Sequence, residues 1–175
     1  MYNKYMNTKK GNAIIWVIIC FVVIGGLFFW GSINAKKSQA KKEVAYTGKT
    51  SREVALICTT DMATQFHIHP EIRIGVNGKE VTIPSNIGIK QNCMNSIHTH
   101  DATGLIHVES PAKKDFTLGD FFAVWDKDFS KDTLLGNKID ATNEIVVSVN
   151  GSKVDTFENT IMKDKDMIVI SYQKK

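Results

Sequence analysis

The sequence predicts a mainly β fold of the α+β kind. An N-terminal transmembrane helix is followed by a small antiparallel β domain carrying one or two short helices. Three observations point there. Residues 13–31 (AIIWVIICFVVIGGLFFWG) are apolar, and no charged residue occurs between Lys10 and Lys36. Two Asn-Gly pairs, at 77–78 and 150–151, each sit between short alternating segments. Between the two pairs, one segment carries clear helix-start chemistry. The chain divides accordingly into a short basic tail (1–12), an anchor helix (13–31), a polar Lys-rich tether (32–52) and a β-rich domain (53–175).

The charge is split along the chain. Residues 1–42 hold seven lysines (Lys4, Lys9, Lys10, Lys36, Lys37, Lys41, Lys42) and no acid, while the whole chain has 22 Lys+Arg and 18 Asp+Glu. The remainder therefore carries 15 basic and 18 acidic groups, a net of −3. That balance argues against a nucleic-acid partner, because binding to phosphates needs a basic footprint. The partner implied by the N-terminal segment is a membrane.

Nineteen residues at 1.5 Å each make a helix of roughly 28 Å, close to the hydrocarbon thickness of a bilayer. Trp16 and Trp30 stand near its ends, where amphipathic rings favour the interface. The apolar core is longer than that of a cleaved signal peptide, and Ile33-Asn34-Ala35 lacks a small residue at the −3 position. Cys20 follows Ile19, which does not fit a lipoprotein cleavage site. An uncleaved single-pass signal anchor is expected. Lysines flank the span on both sides, so the positive-inside rule does not orient it. The expected layout places the N-terminus in the cytoplasm and the C-terminal domain outside, since long domains translocate largely regardless of charge.

In the domain, residues 53–60 (EVALICTT) read as a short strand. Residues 65–76 alternate, with Ile72, Ile74 and Val76 on one face, and Asn77-Gly78 leads back into 79–83. Asn-Gly between alternating segments is a strong hairpin signal, because both turn residues need φ > 0. Residues 96–109 read as a second hairpin, 145–157 as a third around Asn150-Gly151, and 167–172 as a last strand. Thr117 and Asp120 form a capping-box pair for a helix whose Leu118, Phe121, Phe122 and Trp125 share an apolar face. The stretch from VSVNG through KDKDMIVISY resembles the last strands of ubiquitin-like β-grasp domains.

All five histidines (His67, His69, His98, His100, His107) fall within 41 residues, and four of them form two His-x-His pairs. On a strand, residues i and i+2 project from the same side, so each pair offers two imidazoles to one face. With 101–104 as a turn, His98 lies directly across from His107, and His100 faces Leu105. Glu109 lies one step beyond His107 on the same face. Imidazole suits zinc and copper among other ions. His98, His100 and His107 are the expected metal ligands, with His67 or His69 as a fourth. Asp101 and Glu109 are candidates to orient the imidazoles through their second nitrogens. A hydrogen-bonded histidine network and a pH-responsive surface cluster are the metal-free alternatives.

Cys20 lies in the span. Cys58 and Cys93 could form one disulfide in an extracytoplasmic domain, or Cys93 could serve as a soft ligand, or both could stay unpaired. There is no G-x-S-x-G, C-x-x-C, Walker or dinucleotide-binding glycine pattern. No catalytic set is apparent beyond the candidate ligands. The sequence thus points first to an anchored copper- or zinc-binding module for sequestration, delivery or sensing. The alternatives are a metal-dependent enzyme with Glu109 as general base, and an interaction or assembly domain without metal.

Three pieces of this sequence, HIHPEIRIGVNGKEVTIPSNIGI, SIHTHDATGLIHVESP with a cysteine a few residues before it, and FTLGDFFAVW, resemble an uncharacterised family of membrane-anchored or secreted bacterial and archaeal domains. Together they span about a third of the chain. The resemblance implies an extracytoplasmic domain and supplies no activity. The H-x-H and the following Glu also resemble a cupin motif, but the spacing departs from it and no second motif follows.

Overall fold

The structure is a computed structural model that describes residues 5–60 and 64–175. The chain separates into two compact units, residues 1–42 and 43–175. The basic tail expected over 1–12 has residues 1–4 outside the described part, and from Tyr5 onward the backbone is helical.

One helix runs Tyr5–Thr47, so the polar segment expected as a tether is helical over most of its length. Residues 32–47 contain three alanines, four lysines and no proline, and nothing there breaks the helix. Within this helix, Ile15–Lys37 is long and apolar enough to cross a membrane. Its 23 residues span roughly 35 Å at helical rise. Trp16, Phe21, Phe28 and Trp30 are 67, 73, 77 and 66% exposed, the state expected of side chains meant for lipid.

The second unit is a mostly antiparallel β domain with short helices. Its main sheet has five strands in the order Ser152–Val154, Asn143–Val149, Met167–Lys174, Glu71–Val76 and Lys79–Val81. The pairings are antiparallel except in the middle, where Met167–Lys174 runs parallel to Glu71–Val76. Two Asn-Gly hairpins are thus joined edge to edge through one parallel contact. The turns need φ > 0 twice in succession, and Asn77 and Gly78 (52° and 78°) and Asn150 and Gly151 (53° and 81°) supply it.

The register explains the core. Ile72 lies beside Ile168, which faces Val149, and Ile74 lies beside Ile170, which faces Val147. These aligned apolar rows share one face of the sheet, and Ile72, Ile74, Val147, Ile168 and Ile170 are all buried. The helix Leu118–Trp125 contributes Leu118, Phe121 and Phe122 to the same core. Its capping box is complete: the Thr117 hydroxyl accepts the Asp120 N–H, and the Asp120 carboxylate accepts the Thr117 N–H. Asp120 is nearly buried and pairs with Arg52 at 2.7 Å.

One expected strand is different. Residues 53–60 open as the helix Ser51–Leu56, and only Cys58–Thr59 is extended. Thr50 and Glu53 form a second capping box, with Thr50 N–H donating to the Glu53 carboxylate at 2.7 Å. That start signal outweighs the β-branched composition of the residues after it. The result places Val54 and Ala55 in the core.

Cys58–Thr59 pairs with Cys93–Asn95, which also pairs with Ile89–Lys90. Cys58 and Cys93 are disulfide-bonded across this small sheet, with their Cα atoms 5.3 Å apart. A second small sheet, Phe129–Ser130, Thr133–Leu134 and Asn137–Lys138, adds Phe129 and Leu134 to the core.

Candidate metal centre

The site is built on a three-stranded sheet in the order Phe66–Ile68, His107–Ser110, Ile97–His98. His67 pairs with Glu109, and His98 pairs with His107. Directly opposed residues project from the same face, as do residues two apart on one strand. His67, His98, His107 and Glu109 therefore share one face, and His69 and His100 extend it from each flank. The other face holds Ile68, Ile97 and Val108, all buried in the core. Alternation thus gives this sheet an oily side and an imidazole side.

The hairpin expected over 96–109 is shorter than its sequence suggests. Its ladder ends at His98 and His107. Leu105 does not face His100; it bridges to Glu71. The Ile72 N–H donates to Gly104 O at 2.8 Å, and the Ile106 N–H donates to Pro70 O at 2.9 Å. Gly104 makes this possible at φ +88°, since a Cβ there would stand 2.3 Å from the Ile72 carbonyl oxygen. Residues 104–110 thus track along 66–72, which brings the two His-x-His pairs together.

The rings cluster around His107. Its centroid lies 4.6 Å from that of His100, 4.8 Å from His69, 5.4 Å from His98 and 6.3 Å from His67. Two sets could hold a metal ion: His98, His100 and His107, and His67, His69 and His107. In these sets the ligand atoms lie within 4.8 Å of one another. Zn–N bonds of 2.0–2.1 Å at a tetrahedral angle need nitrogens roughly 3.4 Å apart, so modest side-chain closure completes either set. His67 and His69 are grouped with each other and with His107.

His98 forms the floor. It is fully buried, and its Nδ1 lies 3.1 Å from the Asn95 carbonyl oxygen. A carbonyl only accepts, so Nδ1 carries the proton and Nε2 keeps its lone pair. Asn95 is itself held in place, with its amide donating to Ala55 O at 2.9 Å and its strand adjoining the disulfide. Among the described residues, the only buried side-chain nitrogen or oxygen atoms with no hydrogen-bond partner are His98 Nε2 and His107 Nδ1. Buried polar atoms are rarely left so, and both of these belong to the histidine cluster.

Burial pushes the His98 pKa down from 6.5 to about 4. His107 is also lowered, by burial first and then by the neighbouring His100 and His69. Both rings are thus neutral at pH 7, the state in which imidazole ligates.

The acidic neighbours divide unevenly. Glu109 Oε1 lies 3.1 Å from His67 Nε2 and 4.0 Å from His107 Nδ1. The Asp101 carboxylate accepts both the hydroxyl and the N–H of Thr103, which lower its pKa, with a smaller contribution from the nearby His107 and His100. Asp164, which gave no signal in the sequence, lies beside His69. Its carboxylate accepts the His69 N–H at 2.9 Å and stands 3.9 Å from the ring Nδ1. The turn 163–166 holds it there through Lys165 N–H to His69 O and Glu71 N–H to Asp166 O. Cys93 is in the disulfide and so is not a thiolate ligand.

No family model, curated protein or solved structure matches this chain.

Proposed function

We propose that this protein is a single-pass membrane-anchored module whose folded domain lies outside the cytoplasm. There it binds a copper or zinc ion through His98, His100 and His107, for sequestration, delivery or sensing. The observation that carries the reading is the buried, unpartnered Nε2 of His98, whose tautomer the Asn95 carbonyl fixes with the lone pair free. Leaving such an atom without a partner costs about 1–3 kcal/mol, which a metal bond would remove. An outer hydrogen bond of this kind also raises the basicity of a ligating imidazole.

The arrangement suits exchange. His98 is buried at the floor, His107 is half-buried, and His100 is exposed at the rim. An ion held there is reachable from the surface. The Cys58–Cys93 disulfide and the Ile15–Lys37 helix favour an oxidising compartment beyond a membrane. The motif resemblance to membrane-anchored and secreted domains supports the same placement.

The test is elemental mass spectrometry on the full chain purified in detergent, beside the His98→Ala/His100→Ala double variant. Near-stoichiometric copper or zinc in the wild type and loss of it in the variant is the expected result. No metal in either protein after incubation with both ions would overturn the reading. Protease added to right-side-out vesicles should digest the domain; protection without detergent would overturn the topology.

A further inference from the structure

We propose that the histidine face holds two metal ions bridged by the His107 ring, one nitrogen to each. This rests on the metal-binding reading above and extends it from one ion to a dinuclear centre.

The argument starts from the strand order. His107 is on the central strand of its sheet. His67 and His69 come from one flank, and His98 and His100 from the other. The two sets that could hold an ion overlap in a single residue, His107. Five imidazoles exceed the four positions of a tetrahedral ion. A division of three and three needs one ring to serve twice.

An imidazole can do so because Nδ1 and Nε2 lie on different edges of the ring. Glu109 shows which edge faces which flank. Its Oε1 lies 3.1 Å from His67 Nε2 and 4.0 Å from His107 Nδ1, so Nδ1 is the His107 nitrogen nearer the carboxylate that His67 also meets. That Nδ1 is buried and has no hydrogen-bond partner. With Nδ1 given to the His67–His69 ion, Nε2 remains for the His98–His100 ion. Two metal–nitrogen bonds in series with the ring put the ions roughly 6 Å apart.

The proton balance is simple. A neutral ring carries one N–H. Binding the second ion displaces that proton to solvent and leaves an imidazolate, whose charge the two divalent ions offset. Carboxylates stand on both sides of the face: Glu109 and Asp164 lie against His67 and His69, and Asp101 lies near His100 and His107.

The test uses the full chain in detergent, stripped with chelator and titrated with Cu(II) alone. Bound copper is counted by mass spectrometry, and the unpaired spins by electron paramagnetic resonance. The expected result is two copper ions per chain. The signal rises up to the first equivalent and then falls as the second ion couples to it through the ring. The His67→Ala/His69→Ala variant removes two surface-facing side chains, and its fold is checked by circular dichroism. It should bind one copper with full, uncoupled signal. Two ions with additive signals would overturn the bridge. One ion per chain in the wild type would overturn the second site and leave the mononuclear reading intact. No bound copper, with no zinc bound when the same titration is repeated with Zn(II), would overturn both.

Discussion

Stripped of metal, the protein should lose stability between pH 7 and pH 5 in a way that His98 largely sets. In the unfolded chain the ring titrates near 6.5, and in the folded protein burial lowers it to about 4. The unfolded state therefore binds more protons across that interval. The stability is fully present above pH 6.5, falls as the pH drops toward 4, and does not change further below it for this group. The full separation corresponds to on the order of 3 kcal/mol. Between pH 7 and pH 5 it amounts to about 2 kcal/mol. Several carboxylates titrate at the acid end, and His107 shifts in the same direction, so the comparison is with His98→Gln, which removes one titration and leaves the others. Urea unfolding in detergent reports it through Trp125, once Trp16 and Trp30 of the apolar helix are replaced by Phe. The wild type should lose about 2 kcal/mol more than the variant over that range. Equal losses would refute the claim that His98 is held neutral on a buried floor.

Other consequences concern the frame around the site. Gly104→Ala places a Cβ against the Ile72 carbonyl at a positive φ, and should cost upwards of about 2 kcal/mol in thermal or urea unfolding. Cys58→Ser/Cys93→Ser opens a 35-residue loop and should cost about 2–4 kcal/mol. The same variant should bind metal more weakly in competition with a chelator, because the strand that seats Asn95 loosens. Arg52→Ala leaves the nearly buried Asp120 with its cap bond but no cation, and should cost about 1 kcal/mol, discounted because Arg52 is itself half-exposed. His67→Ala should leave the melting temperature of the metal-free protein nearly unchanged, since that ring is exposed and its contact with Glu109 lies at the surface.

Local chemistry in the sequence reached much of this structure. Both Asn-Gly turns, the Thr117–Asp120 cap and the opposition of His98 and His107 depend on residues close together in the chain. What escaped was long-range or in competition. The pairing of Phe66–Ile68 with His107–Ser110 unites the two His-x-His pairs, and no local pattern encodes it. The same holds for the parallel contact of Met167–Lys174 with Glu71–Val76. Asp164 reaches His69 only because a turn nearly a hundred residues later is tied to Pro70's neighbours. At Thr50–Glu53 the cap was present in the letters, but Val, Ile, Cys and Thr after it suggest a strand. Asp101 lies beside His100 in the chain, and the turn also engages its carboxylate through the Thr103 hydroxyl.

The central claim is that imidazoles of one sheet face hold a transition metal. X-ray absorption at the metal edge of the copper- or zinc-loaded full chain counts those ligands directly. The account predicts imidazole scattering from at least three histidines at about 2.0–2.1 Å, reduced in His98→Ala/His100→Ala. A shell of water or carboxylate oxygens without imidazole scattering, unchanged in that variant, would contradict it.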